Sequence, residues 1–179
     1  VCRARIEQRF PDKFGRMAFG LVGEGSECYG FDDEISRDHD FGPRFMVWLT
    51  DEDDADFGTA LADFLETLPR AYGGYDGVNQ SAYGGGRAGV FTVSRFYLQH
   101  IGLGEIPRTV GQWRALQEVP LSSATNGEVW LDPVGAFSAF RTELLLGYPP
   151  DILLKKMAAR CMTAAQAGQY NFARCLRRG

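Results

Sequence analysis

Four short apolar runs punctuated by glycine or proline limit what this chain can build. Met17-Ala-Phe-Gly-Leu-Val-Gly, Asp38–Thr50 (DHDFGPRFMVWLT, interrupted by Gly42-Pro43, where a bulge or an edge position is expected), Gly89-Val-Phe-Thr-Val and Gly127-Glu-Val-Trp-Leu-Asp read as strands rather than amphipathic helices. Their β-branched and aromatic content favours buried strands. Between them the apolar spacing turns helical. Arg3 to Lys13 places Ile6 and Phe10 on one face until Pro11. Asp54 is placed to cap a helix carrying Phe57, Leu61, Phe64, Leu65 and Leu68, which Pro69 stops. Ser94 is expected to cap a short helix closed by Gly102, Trp113 and Leu116 sit on another before Pro120, and Asp151 opens a long final helix. Strands alternating with helices predict an α/β (α+β) fold: a short mixed β-sheet flanked by helices, with residues 1–135 as the core and 136–179 as a helical C-terminal section. No period of 20 to 50 residues recurs, which excludes a solenoid.

The 179 residues are enough for a self-sufficient core. A hydrophobic content of 45% and a mean hydropathy of -0.22 belong to the globular class. No run approaches the roughly 20 apolar residues of a membrane span, so no membrane partner is expected. Cys2, Cys28, Cys161 and Cys175 form no CxxC pair and stand apart from clustered histidines, which argues against a zinc site or disulfide framework and for the reducing cytoplasm. The start at Val1 and the end at Arg177-Arg178-Gly179, within a helical pattern, suggest a piece of a longer protein.

The net charge of -4 conceals an asymmetry: residues 24–63 hold 13 acidic and 2 basic residues, whereas 151–179 hold 6 basic and 1 acidic. Such an acidic block is either a solvated face or a cation site, and it disfavours duplex nucleic acid. Residues 71–86 interleave six glycines with Tyr72, Tyr75 and Tyr83, a pattern of a long loop that is either a lid or a plain crossing.

Within the acidic block, Asp38 and Asp40 leave the same face of an extended segment, while His39 points away. Paired carboxylates suit magnesium, a hard cation usually held by one or two carboxylates plus substrate phosphates. Upstream, Gly25-Ser26 forms a turn in which glycine admits a phosphate close to the backbone and the serine hydroxyl donates to it. An EF-hand is excluded by the missing later ligands, and a histidine-rich metal phosphohydrolase by a total of two histidines.

A strand ending in Gly25-Ser26, then Ser36-Arg37-Asp38-His39-Asp40 opening the next, resembles the nucleotidyltransferase superfamily with the DNA polymerase beta type of fold. More narrowly, "GLVGEGSECYGFDDEISRDHDFGPRF", "ATNGEVWLDPVGAF" and "AARCMTAAQAGQYNFARCLRRG" resemble a bacterial family, the domain of unknown function 4037, grouped with predicted nucleotidyltransferases. The resemblance implies a sheet of the nucleotidyltransferase type and transfer of a nucleoside monophosphate from a nucleoside triphosphate, ATP first among candidates, to a small-molecule or protein acceptor. It implies that Asp38 and Asp40 hold Mg2+ or Mn2+ and that Gly25 and Ser26 cradle phosphates.

A third carboxylate is usual in the superfamily. Gly89–Ser94 offers none, which leaves Glu128 or Asp132 on the later strand, or a base drawn from Glu24, Asp32, Asp33 or Glu34. Asp132, the assigned candidate, precedes proline and equally suits a helix cap. Lys156 and Arg160, one helical turn apart, are candidate triphosphate contacts or simply a solvated face. The missing acid also admits a nucleotide-binding sensor or interaction module of the same fold, without turnover.

Overall fold

Successive residues of two adjacent strands are buried against opposite cores, which sets the layers of the molecule. The computed structural model describes residues 2–31, 43–69, 71, 73, 74 and 88–176, without the side chains of Ser26 and residues 170–176. β1 (Ala18–Leu21), β2 (Met46–Leu49), β3 (Gly89–Thr92) and β4 (Glu128–Leu131) form one mixed sheet in the order β3-β2-β1-β4. β1 runs antiparallel to both β2 and β4, and β2 runs parallel to β3. The fold is thus mixed α/β, a four-stranded sheet flanked by helices and followed by a helical C-terminal section, as the run lengths predict.

Ala18, Met46, Trp48 and Phe91 face one core; Phe19, Val47 and Leu49 face the other. The second core is closed by α1 (Cys2–Arg9) through Ile6, and by a continuous helical stretch made of α3 (Asp51–Asp53), a π-helical turn (Asp54–Gly58) and α4 (Thr59–Glu66), through Phe57 and Leu61. Arg16 reaches across to ion-pair with Asp53, which is 3% exposed, and Lys13 pairs with Asp56. Hydrogen bonding from Lys13 holds the Asp56 carboxyl below its ordinary value. Part of the acidic block is therefore neutralised within the fold.

The first core is larger. α5 (Val93–Ile101), α6 (Val110–Ala115), α7 (Glu118–Thr125), α8 (Ala136–Leu146) and the start of α9 (Pro150–Leu176) cover it with Phe96, Tyr97, Trp113, Ala124, Phe137, Phe140, Leu144 and Ile152. Trp48 stacks on Phe137 with centroids 3.9 Å apart, and Tyr97 on Phe140 at 3.8 Å. Each such pair adds about 0.5–1.5 kcal/mol to the burial of its rings. α8 follows the boundary expected at residue 135 and packs into the same core as the sheet. Beyond Ile152, α9 is exposed apart from the half-buried Lys156, as far as its side chains are described. No helix among the described residues is long and apolar enough to cross a membrane.

Several boundaries differ from expectation. The ladder of β2 begins at Met46, and the expected strand start at residues 38–42 lies outside the described residues. Thr50, not Asp54, caps the second helical stretch, its hydroxyl accepting from the Asp53 amide; Asp54 lies inside it. Thr92, not Ser94, caps α5 in the same way by accepting from the Arg95 amide. In both cases the last extended residue of a strand holds the hydroxyl where the first helical amides point. Asp151 sits within the first turn of α9, which starts at Pro150. α7 is unforeseen: Pro120, read as a stop, occupies its first turn, where a missing amide costs nothing. The glycine-rich stretch 71–86 falls almost wholly outside the described residues.

A bulge distinguishes β4. Phe19 pairs with Leu131 and Gly20 with Val129, leaving Trp130 as an extra residue. Val129 and Leu131 consequently pack against opposite cores despite being two apart, and Trp130 is 54% exposed.

Candidate functional site

β1 ends where the chain turns through Gly23, Glu24 and Gly25 into the four-residue helix α2 (Ser26–Tyr29). Gly23 is buried at φ +139, a conformation side chains seldom adopt. Its two backbone groups have left the strand ladder, and one side chain takes both. The Gly23 amide donates to Asn126 Oδ1 at 3.0 Å, and Asn126 Nδ2 donates to the Gly23 carbonyl at 2.7 Å. The next residue, Gly127, donates from its amide to the Cys28 carbonyl at 2.8 Å. Gly127 itself has φ +64, and a Cβ on it would collide with the Leu21 carbonyl, so only glycine allows this approach.

The clamp is held in turn by α8. Arg141 Nε donates to the Thr125 carbonyl at 2.9 Å, and its Nη2 donates to the carbonyls of Asn126 at 3.2 Å and Gly127 at 2.9 Å. One guanidinium thus satisfies the carbonyls left open at the end of α7 and fixes the residue that grips Gly23. On the far side of the turn, Glu27 forms an ion pair with the largely buried Arg44, just ahead of β2. Gly20 pairs with Met46, so the chain leaves this end of the sheet at β1 and re-enters it at β2. The segment carrying Asp38 and Asp40 is bracketed by those elements.

His100, in the last turn of α5, also meets this corner. Its Nδ1 lies 2.9 Å from the Phe96 carbonyl, which can only accept, so Nδ1 carries the proton. Nε2 faces Gly23, 3.9 Å from where a Cβ would stand. At the other flank Tyr29 hydrogen-bonds Ser123 through its hydroxyl at 3.2 Å.

Of the predicted site residues that the structure describes, Asp132, Lys156 and Arg160 lie away from the glycine turn. Gly25 lies in the turn, its carbonyl accepting from the Cys28 amide. Ser26 begins α2, and its side chain, like Asp38 and Asp40, lies outside what the structure describes. Among the described residues no three of His, Cys, Asp and Glu gather to hold a metal ion.

Asp132 follows β4, at the end of the strand away from the turn, since Glu128 pairs with Leu21 and Leu131 with Phe19. Roughly 10 Å of strand separates them. Both Asp132 carboxylate oxygens accept backbone amides at the start of α8, Gly135 at 2.9 Å and Ser138 at 2.7 Å. The capping alternative describes this geometry. Glu128, by contrast, stands at the turn end and accepts from Trp130 Nε1 at 3.0 Å.

Lys156 donates to the Leu116 carbonyl and lies 3.6 Å from Glu118, and Arg160 ion-pairs with the same glutamate. The hydrogen bond from Arg160 lowers the pKa of Glu118. Glu118 begins α7, whereas Asn126 follows its last residue, so about 12 Å of helix divides the basic pair from the glycine turn. Asn126, Arg141, the Glu27–Arg44 pair and His100 are the site-forming residues that sequence reasoning missed. Asn126 stood within a quoted motif, but its partner lies 103 residues away.

Residues 113–179 match the family model of the domain of unknown function DUF4037. The matched segment starts at Trp113 on α6 and includes the Asn126 clamp, Arg141, Asp132, Lys156 and Arg160. Gly23–Ser26 and the Asp38/Asp40 pair lie before it. No curated protein and no solved structure matches the chain.

Proposed function

We propose that this chain is a magnesium-dependent nucleotidyltransferase, moving a nucleoside monophosphate from a triphosphate to a small-molecule or protein acceptor with release of pyrophosphate. The observation that carries the reading is the turn after β1. It is glycine-built, clamped through backbone groups by Asn126, and followed by Glu27, which ion-pairs with Arg44 just ahead of β2. A rigid backbone corner suits a phosphate, because positioning and charge neutralisation carry such transfers. Asp38 and Asp40 would hold the magnesium, which would neutralise phosphate charge. A cytoplasmic setting with ATP as donor belongs to the same proposal.

The test is incubation with magnesium, alpha-labelled triphosphates and cell extract, comparing the protein with Asp38→Asn. Label transfer by the unaltered protein and not by the variant is expected; equal labelling by both refutes the assignment. One observation favours a second reading, a nucleotide-binding module without turnover: Asp132 spends both oxygens on the start of α8. Calorimetry with a non-hydrolysable triphosphate separates the two, since magnesium-dependent binding without any transfer supports the module.

A further inference from the structure

α5 carries one unspent ring nitrogen to the glycine corner. The helix starts from Thr92 at the end of β3, and β3 runs parallel to β2, so this start lies at the end of the sheet opposite the Gly23 turn. Nine residues, about 13 Å of helix, bring the chain back, and His100 in the last turn arrives beside Gly23. The ring is held from behind. Phe96 packs on it with centroids 4.3 Å apart, and the Phe96 carbonyl accepts a hydrogen bond from Nδ1 at 2.9 Å. In the neutral imidazole this leaves a lone pair on Nε2. Among the described residues nothing hydrogen-bonds Nε2. A Cβ placed on Gly23 would stand 3.9 Å from Nε2 and 3.9 Å from Met46 Cε, with no closer neighbour among the described residues. The space between turn and ring therefore admits a ligand atom.

We propose that His100 Nε2 is the general base of the transfer, and that the acceptor it serves is a hydroxyl. The proposal rests on the nucleotidyltransferase reading above and adds what that reading leaves open, the chemical class of the acceptor. Nε2 in this tautomer can only accept a hydrogen bond, so it meets a donor rather than the ionised oxygens of a triphosphate. A hydroxyl is a weak nucleophile until its proton leaves, whereas an uncharged amine attacks through its lone pair and a carboxylate has no proton to lose. In the step, the acceptor O–H bond breaks as its oxygen bonds the α-phosphorus, and the proton passes to Nε2. The bond from the α-phosphorus to the bridging oxygen breaks, and its electron pair leaves with pyrophosphate. The imidazolium keeps its Nδ1–H on the Phe96 carbonyl and returns the new proton to solvent. The acids described near this end of the sheet suit the role less well: Glu27 is ion-paired with Arg44, Glu128 accepts from Trp130, and Glu24 is exposed in the turn.

The experiment measures label transfer from alpha-labelled ATP into cell extract with magnesium, and calorimetry with a non-hydrolysable ATP analogue, on the unaltered protein, His100→Asn and His100→Gln. Asparagine keeps an N–H for the Phe96 carbonyl, glutamine keeps a polar group near the Nε2 position, and neither takes a proton. Each variant should lose about 100- to 10,000-fold in initial transfer rate, with affinity for the analogue changed less than about twofold. Added imidazole should restore part of the rate of His100→Asn. The label on the product should resist mild acid and neutral hydroxylamine, as a phosphodiester does. Rates within about threefold of the unaltered protein in both variants overturn the base and leave the transferase reading standing. Equal loss of rate and of analogue affinity overturns it too, by placing His100 in triphosphate binding or in the fold. Label released by acid marks a phosphoramidate, label released by hydroxylamine marks an acyl phosphate, and either overturns the hydroxyl acceptor. If the unaltered protein transfers no label, the transferase reading falls and the base falls with it.

Discussion

Replacing Asn126 tests the corner on which the functional reading rests. Asn126→Ala removes both partners of Gly23, leaving a buried amide and a buried carbonyl unsatisfied. Each orphaned group costs about 1–3 kcal/mol, and with partial access of water the pair should cost about 3 kcal/mol in all. At a urea dependence near 2 kcal/mol per molar, the midpoint of unfolding should fall by about 1.5 M. Asn126→Asp keeps the shape and discriminates further. A carboxylate still accepts from the Gly23 amide, but it sets an oxygen against the Gly23 carbonyl where Nδ2 donates at 2.7 Å. Only the protonated carboxyl donates there, so its folded pKa is raised above its unfolded value, and the stability this contact contributes is present at low pH and lost as pH rises through the raised pKa. The gap to the unaltered protein should therefore be smallest near about pH 4 and widen towards about pH 7. A midpoint for Asn126→Ala within about 0.3 M of the original, inside the scatter of such extrapolations, would refute the clamp. So would a gap for Asn126→Asp that ignores pH.

Three further outcomes follow from the same geometry. Gly20→Ala should lower stability by about 3 kcal/mol, the upper end for overpacking, because its Cβ would strike the Glu128 carbonyl and sit 2.9 Å from Trp48 Cζ3; Gly15→Ala, with open space around it, should be nearly neutral in the same thermal melts. Arg141→Met and Asn126→Ala should be non-additive in a double-mutant cycle, by about 0.5–3 kcal/mol, since both act on the Thr125–Gly127 turn. Glu118 should titrate below the ordinary glutamate range in carboxyl NMR and move up towards it in Arg160→Gln. With its folded pKa depressed, the tether it gives α9 is complete above the unfolded pKa and lost as pH falls through the folded one.

The sheet was legible because short apolar runs bounded by glycine have few other uses, and β1, β3 and β4 stand where those runs lie. Helix starts were less legible. Thr50 and Asp54, or Thr92 and Ser94, offer equivalent oxygens within a few positions, and only the strand end decides which oxygen meets the amides. Pro120 misled because one residue type both stops and starts helices. The corner itself was half legible: Gly25-Ser26 announced a turn, but what holds Gly23 comes from Asn126 and Arg141, and local patterns carry no trace of partners 103 residues apart. Lys156 and Arg160 share a helix face as their spacing requires, yet their partner is Glu118, which spacing cannot reveal.

The extra residue in β4 has a consequence outside the site. Among the described strands β4 is an outer one, with a row of backbone groups facing away from β1. A flat row of that kind invites a strand from another molecule and begins aggregation, but the kink at Trp130 breaks its regular spacing. Deleting Trp130 would straighten this border and make the protein stickier at high concentration.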